Sequence, residues 1–423
     1  MPVSWNRKEY QPEQVVEKIE SARKPTSDKK KFEFEGWGFH EYVAVVYSML
    51  DFSFDIPEID GRKIVRKAIF DAGEKGVITV KSLLAEINRL EREYQSLPAQ
   101  KYVLASSISL DRSWELRNIR IGNTYITLGK SLPKEYQKET NTLLGNAEEW
   151  LFAKLPRDYL SVRVSVTAKS IDYAADQALE ALDFVRGIWN WILNRGQVSR
   201  RSSGKSEPVN NIILGPIHTL HEPNGKLMTT DLWWYEPSYL GEIALFAPKP
   251  NEVEIIKKSF NYVRKAFKSH KYPQIIHNSI VRYTRALDER DWTVAFNKLW
   301  GVLELLTDTG KAGYDTTIKR TAFIYEEYDY HLQVLQHLRK YRNSSVHQDK
   351  GNSQMETYLY QLKSYVEALI HFHIVNKFGF RTIHEAGEFF SLSHEEEVLK
   401  NQEETFKEQI KQRKLARKFR GLK

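Results

Sequence analysis

The stretch DWTVAFNKLWGVLELLT, residues 291–307, sets Val294, Leu299, Val302, Leu305 and Leu306 at helical spacings, with Phe296 and Trp300 adding bulk. Glu304 sits inside this apolar pattern. Its carboxylate is either at the edge of the face, or buried with a partner that offsets the cost of desolvation. A second helix is expected in HLQVLQHLRKYRNSSVHQDKG (331–351), ended by Gly351, with Lys350 near the negative end of its dipole. A long third helix follows in SQMETYLYQLKSYVEALIHFHIVNKFGF (353–380). Ser353 or Asn352 is the candidate cap, and Glu356 completes a capping-box spacing from Ser353.

Outward from this core, helices are expected over 252–269, 273–289, 291–308, 315–328, 330–343 and 353–378. Ala247-Pro248-Lys249-Pro250-Asn251 is the clearest boundary, because two prolines disfavour helix continuation. Before it, YLSVRVSVTAK (159–169) alternates as a strand and leads into a strong helix pattern at 172–193. YVLASSISL, SWELRNIRIG and TYITLGK also read as strands, with Gly122-Asn123 as a turn. Residues 39–97 read as mostly helical, stopping before Pro98, and 11–24 as a short amphipathic helix. The expected class is α+β. A mostly helical region (1–99) and an α+β domain (100–247) precede an all-α helical domain (252–380) and a C-terminal extension with a basic tail (381–423).

Composition narrows the chemistry. A chain of 423 residues calls for two or three domains. It contains no cysteine, which removes disulfides, thiolate nucleophiles and cysteine zinc sites. His371 and His373 at i, i+2 splay apart on a helix, and His331 and His337 lie six apart, so no metal site is expected. No P-loop motif occurs and no cofactor is implied. The N-terminus lacks the apolar run of a signal peptide, and no stretch matches a membrane span of about 18 apolar residues. A cytoplasmic location without membrane partners is the expectation.

The net charge of +8 is local. Residues 407–423 hold eight cations against Glu408, which makes them +7 and leaves +1 for the rest. Lys411, Arg413, Lys414, Arg417, Lys418 and Arg420 either contact RNA phosphates through counterion release or form a solvated tail. The basic loop of Arg195, Arg200, Arg201 and Lys205 reads first as a solvated loop.

Arg342-Asn343-Ser344-Ser345-Val346-His347 matches the R-x4-6-H pattern of HEPN ribonucleases, including the polar residue after the arginine. The upstream ALDERDWTVAFNKLWGVLELLTD, with its Trp and its Glu-containing apolar run, and the long helix after the motif resemble the Apea-like HEPN group. The resemblance covers about 110 residues, a quarter of the chain. Arg264 to His270 also fits the bare motif, but that arginine is followed by lysine and its segment ends in KYP.

The resemblance implies metal-independent endoribonuclease activity, with antiviral defence or growth-arresting toxicity as the setting. The RNA 2′-hydroxyl attacks the adjacent phosphorus, leaving a 2′,3′-cyclic phosphate and a 5′-hydroxyl. Histidine suits the proton transfers. Arginine suits the phosphorane charge. Arg342 and His347 are thus the expected catalytic pair, with Asn343 supporting through its amide and Glu304 as a further candidate. One such pair is half a site, so a homodimer through the helical domain is implied. Positions five apart differ by roughly 140° on a straight helix, so a helix end or distortion is expected around 343–345. The alternative is a catalytically inactive RNA-binding or dimerising scaffold of the same fold.

Overall fold

The computed structural model describes residues 2–25, 32–34, 39–151, 154–156, 158–199, 207–230, 236, 239, 245–310, 313–345 and 354–422. Among them, fourteen helices and nine short strands give an α+β architecture.

Helices α1 (Pro12–Ala22), α2 (Phe39–Ser48), α3 (Glu58–Lys75) and α4 (Val80–Ser96) surround a core of their own, running from Val3 to Leu90. Helix α4 stops before Pro98, as its sequence requires. Three two- or three-residue strands belong to this region together with β1: β1 (Ser4–Trp5) pairs with β4 (Leu50–Asp51), and β2 (Arg23–Pro25) with β3 (Phe32–Phe34).

The main sheet is antiparallel, in the order β6-β7-β8-β5-β9. Its strands are β5 (Gln100–Ile108), β6 (Asn118–Ile121), β7 (Thr124–Gly129), β8 (Leu160–Ala168) and β9 (Thr219–His221). Gly122 takes φ 56°, the left-handed turn conformation that closes the β6–β7 hairpin. The strand expected in SWELRNIRIG is shorter than its reading, since only Asn118–Ile121 pairs. In β8, Val162, Val164 and Val166 all point into the core.

Helix α6 (Ile171–Asn194) packs on one face of this sheet, and Ala174, Ala175 and Ala178 permit a close approach. Helix α5 (Lys134–Leu151) covers the other face, where Thr140 reaches Thr219 and His221 of β9. Sequence periodicity did not suggest α5. Its buried stripe of Tyr136, Thr140, Leu143 and Ala147 is thin and half polar.

After the prolines come α7 (Pro250–Ser269), α8 (Pro273–Leu287), α9 (Trp292–Leu306), α10 (Tyr314–Ala322), α11 (Tyr328–Ser345) and α12 (Met355–Val375), close to the six expected spans except that α10 stops six residues before the expected 328. Pro250 opens α7. Helix α9 packs between α8 and α12 and buries Phe296, Leu299, Trp300, Val302, Leu303 and Leu306. Val294, expected on that face, is exposed, because the buried stripe starts at Ala295. The N-cap of α12 is Gln354, with no side-chain cap bond, and the proposed cap residues Ser353 and Asn352 lie outside the described residues.

The core crosses the 247–251 connection. One hydrophobic cluster runs from Tyr102 in β5 to Phe390 in α13 (Ile383–Phe390). The sheet and the later helices therefore share one interior, with α6 at the join. Gly187 makes that join possible. A Cβ there would lie 2.1 Å from Thr284 Oγ1 and 2.8 Å from Ile280 Cγ2 on α8. The chain ends in α14 (Glu396–Phe419), none of whose residues is buried.

A charged cluster is sealed into the α6–α8 contact. Fully buried Arg186 donates to Asp183 at 2.9 and 2.6 Å and to Asp288 at 2.9 and 2.6 Å. Asp183 also accepts from Arg285 at 2.6 Å, and Asp288 from Tyr239 at 2.6 Å and Asn210 at 2.8 Å. Burial pulls the Arg186 pKa down, but Asp288 and Asp183 more than offset it, and the net shift is upward. Asp288→Asn removes one of the two carboxylates that balance the buried Arg186, and Arg186→Met leaves the buried Asp288 without its cation. Each is expected to cost about 3–5 kcal/mol in urea unfolding. A loss below about 1 kcal/mol would show that the cluster does not hold α6 against α8.

Candidate functional site

Helix α11 carries Arg342 and Asn343 in its final turn, which ends at Ser345, the last described residue of that segment. Arg342 is half-buried, and its guanidinium carbon lies 5.8 Å from the ring centre of Trp300 on α9. Trp300 is fully buried, so Arg342 caps the aromatic floor of this end of the α9–α11 contact. Beside it, Tyr341 packs edge-on against Phe296 at 5.4 Å and tilts against Tyr358 of α12 at 4.9 Å. Asn343 is exposed. Residues 343–345 are still helical and the described segment stops at Ser345, while His347 lies outside the described residues.

Glu304 stands one turn along α9 from Trp300 and is half-buried. This is the edge-of-face placement of the two that sequence allows. Its backbone carbonyl accepts from Thr309 N at 3.0 Å.

The competing motif is divided between roles. Arg264 is exposed on α7, while His270 turns back and donates from Nε2 to the His373 carbonyl at 2.8 Å. His373 is buried in α12, where Nε2 donates to Leu306 O at 2.8 Å and Nδ1 accepts from Tyr272 at 3.0 Å. It locks α12 to the end of α9. His371 stacks on Trp191 instead, so the two histidines do diverge. His331 bonds Tyr365 at 2.9 Å and stacks on Tyr325, while His337 packs edge-on against Tyr358. Among the described residues no group of three His, Asp or Glu side chains could hold a metal ion.

Of the basic loop, Arg195 lies over Trp191 at 5.9 Å, and Arg200, Arg201 and Lys205 fall outside the described residues. Five of the six cations of the tail lie on α14, a continuous exposed helix that sequence reading treated as an extension, and Arg420 is its C-cap.

Sequence reasoning missed two buried polar groupings. One is the Arg186 cluster. The other joins Lys363 and Glu367 of α12 to Tyr283 of α8, where Lys363 Nζ donates to Glu367 at 3.0 and 3.1 Å and to Asn194 O at 2.7 Å. Tyr283 donates to the same carboxylate at 2.5 Å. Burial raises the Glu367 carboxyl and lowers the Lys363 ammonium. Their only trace in sequence is charge at i, i+3 and i, i+4 inside otherwise apolar helices. Also unforeseen is a cavity of about 540 Å³ between the outer face of the sheet and α5, lined in part by Ser107, Lys130, Asn141, Gly145, Glu148 and Tyr159.

No protein-family model matches the chain, and no curated protein or solved structure matches it significantly. Among the described residues, no helix is long and apolar enough to cross a membrane.

Two buried histidines make stability depend on acidity. Burial lowers His373 and His218 from the usual 6.5 to about 4, and Ser106 Oγ lies 2.7 Å from the His218 Nδ1. The unfolded chain takes up these protons below pH 6.5, and the folded chain does not until about pH 4. The stability is therefore complete above pH 6.5 and is lost as pH falls towards 4. Each histidine contributes a slope of up to about 1.4 kcal/mol per pH unit in that window. Urea unfolding at pH 7 and pH 5 should show the loss, and His373→Gln should flatten it. The same slope in that variant would mean that His373 is protonated within the fold.

Proposed function

We propose that this chain is a metal-independent endoribonuclease of HEPN type, working through Arg342 and His347. The observation that carries the reading is the placement of Arg342. It sits in the last turn of α11, held over a buried Trp300, with Asn343 next to it at the surface. A guanidinium fixed by its stem and ring contact keeps its fork in place for phosphate oxygens. Positive charge set in advance at a developing phosphorane lowers the barrier without reorganisation.

In this reading His347 exchanges the protons that transesterification moves. The 2′-oxygen loses its proton as it bonds to phosphorus, and the departing 5′-oxygen gains one as its bond breaks. Both transfers need a group that titrates near neutrality. Asn343 orients the phosphate or the imidazole. Two protomers each supply an Arg–His pair, so the active form is a homodimer. The lysines of α14 assist by drawing the RNA backbone to the surface. The sheet region, with its cavity against α5, takes the sensing or restraining part. Antiviral defence or growth arrest is the setting that the resemblance suggests.

The contact with Trp300 also favours a second reading. An arginine that covers a buried ring has a packing role even without catalysis. The chain would then be an RNA-binding or dimerising scaffold.

Labelled RNA incubated with the protein in EDTA separates the two. The nuclease reading expects 2′,3′-cyclic phosphate and 5′-hydroxyl ends. It also expects a fall of at least about 100-fold in Arg342→Ala and in His347→Ala. Stability of Arg342→Ala should change by only about 0.5–1 kcal/mol, the size of a surface cation–π contact. Equal cleavage by wild type and both variants removes the assignment. RNA retained without cleavage by the wild type supports the scaffold.

A further inference from the structure

Helix α14 has 24 residues and none of them is buried. At about 1.5 Å per residue it projects roughly 36 Å. Exposed helices of this kind draw most of their stability from packing an apolar stripe. Here the stripe exists and is not buried by any described residue of the chain. Leu399, Glu403, Phe406, Ile410, Arg413 and Arg417 follow one another at spacings of 4, 3, 4, 3 and 4. That is the heptad spacing of a coiled-coil seam. Phe406 and Ile410, at its centre, are 59% and 52% exposed.

The seam is self-complementary in one direction only. Its spacings read the same from either end, so a two-fold axis between Phe406 and Ile410 maps it onto itself. In that antiparallel arrangement Phe406 faces Ile410 of the partner subunit. Glu403 faces Arg413 of the partner subunit, and Leu399 lies under the aliphatic stem of Arg417 of the partner subunit. A parallel, in-register pair would instead set Glu403 against Glu403 and Arg413 against Arg413. The division of charge along the helix agrees, with Glu395, Glu396, Glu397, Glu403 and Glu404 in the first half and the cations concentrated in the second. Charge at seam positions lowers stability but selects orientation.

We infer that α14 is a homodimerisation element that pairs antiparallel with α14 of a second copy through this seam. Lys407, Lys411, Lys414 and Lys418, again at 4, 3 and 4, form a neighbouring stripe that stays at the surface of the pair. The interface is separate from the Arg342 region and does not depend on the nuclease reading. Leu415 is as exposed as Phe406 but lies on the opposite side of the helix, outside the seam.

The absence of cysteine allows a direct test in the full-length chain. Single variants Leu399→Cys and Arg417→Cys are oxidised separately and as a mixture. Antiparallel pairing gives a disulfide-linked dimer in the mixture and little in either variant alone. Links within each separate variant, or none anywhere, overturn the proposal. Sedimentation equilibrium supplies the second arm. Glu403→Arg should weaken dimerisation by about tenfold or more, and adding Arg413→Glu should restore it to within about threefold. Leu415→Glu should leave it unchanged. The pairing is refuted by a monomer at every concentration, by no rescue, or by RNA bound through Arg413 and Arg417 of an unpaired helix. Cleavage measured on the same samples reports on Arg342 and His347 independently, so either idea can fail alone.

Discussion

Arg186 is a full charge with no access to water, and the α6–α8 contact is built around keeping it paired. Two carboxylates from different helices meet its guanidinium: Asp183 one turn back on α6 and Asp288 just beyond the end of α8. Neither helix can slide by a turn without stranding a charge, which would cost several kcal/mol. The apolar surroundings alone would not impose this. Alanines and isoleucines tolerate small shifts, while a bidentate ion pair does not. Asn210 carries the constraint into the segment before β9 by donating to both Thr284 O and Asp288. Asn190 does the same, exchanging two hydrogen bonds with Ile212. The cluster thus fixes the edge of the sheet and the first helices of the later bundle relative to one helix.

The same device recurs nearer the candidate site. Lys363, Glu367 and Tyr283 tie α12 to α8 and to the last residue of α6. His373 ties α12 to the carbonyl of Leu306, the last residue of α9. Helices α8 and α12 are therefore tied by buried polar contacts to each other, to α6 and to the end of α9, with Leu, Ile and Phe packed between them. Trp300 belongs to this locked set. Arg342, packed above it, takes its position from α9 as much as from its own helix.

What was legible in the sequence follows from where periodicity is strong. Helices α6 to α9 and α12 were readable because each buries an apolar stripe, and β8 because valines alternate with polar residues. Helix α5 escaped notice since Thr140 and a glycine interrupt its stripe. Helix α14 escaped because none of its residues is buried by the described residues, so its apolar residues do not stand out against a core pattern. Val294 was misplaced by a stripe that drifts one residue along the helix. The boundary at the two prolines is a real chain feature, yet the core runs across it, because α6 faces both the sheet and α8. The Arg186 cluster was beyond reach, since its partners lie about a hundred positions apart and no local pattern links them. For the candidate site, sequence reading located Arg342 and Asn343 on a helix end but could not anticipate the Trp300 contact. That contact spans two helices, and its existence depends on how α9 rotates against α11.

The arrangement separates two tasks that a two-fold ribonuclease would have to reconcile. A composite site needs two copies brought together, and it also needs its arginine held still. In this chain the second requirement is met inside the protomer, by a ring at 5.8 Å on a helix pinned by buried polar bonds. The first can then be supplied by a weaker and more selective contact. A seam with charges at six of its twelve paired positions is poorly suited to provide stability, yet well suited to dictate direction. Helix α14 meets that description, and its lysine stripe would lie across both copies of such a pair. In the proposed pair the rigid part of the molecule would fix geometry, and the exposed helix would set how many copies assemble and which way they face.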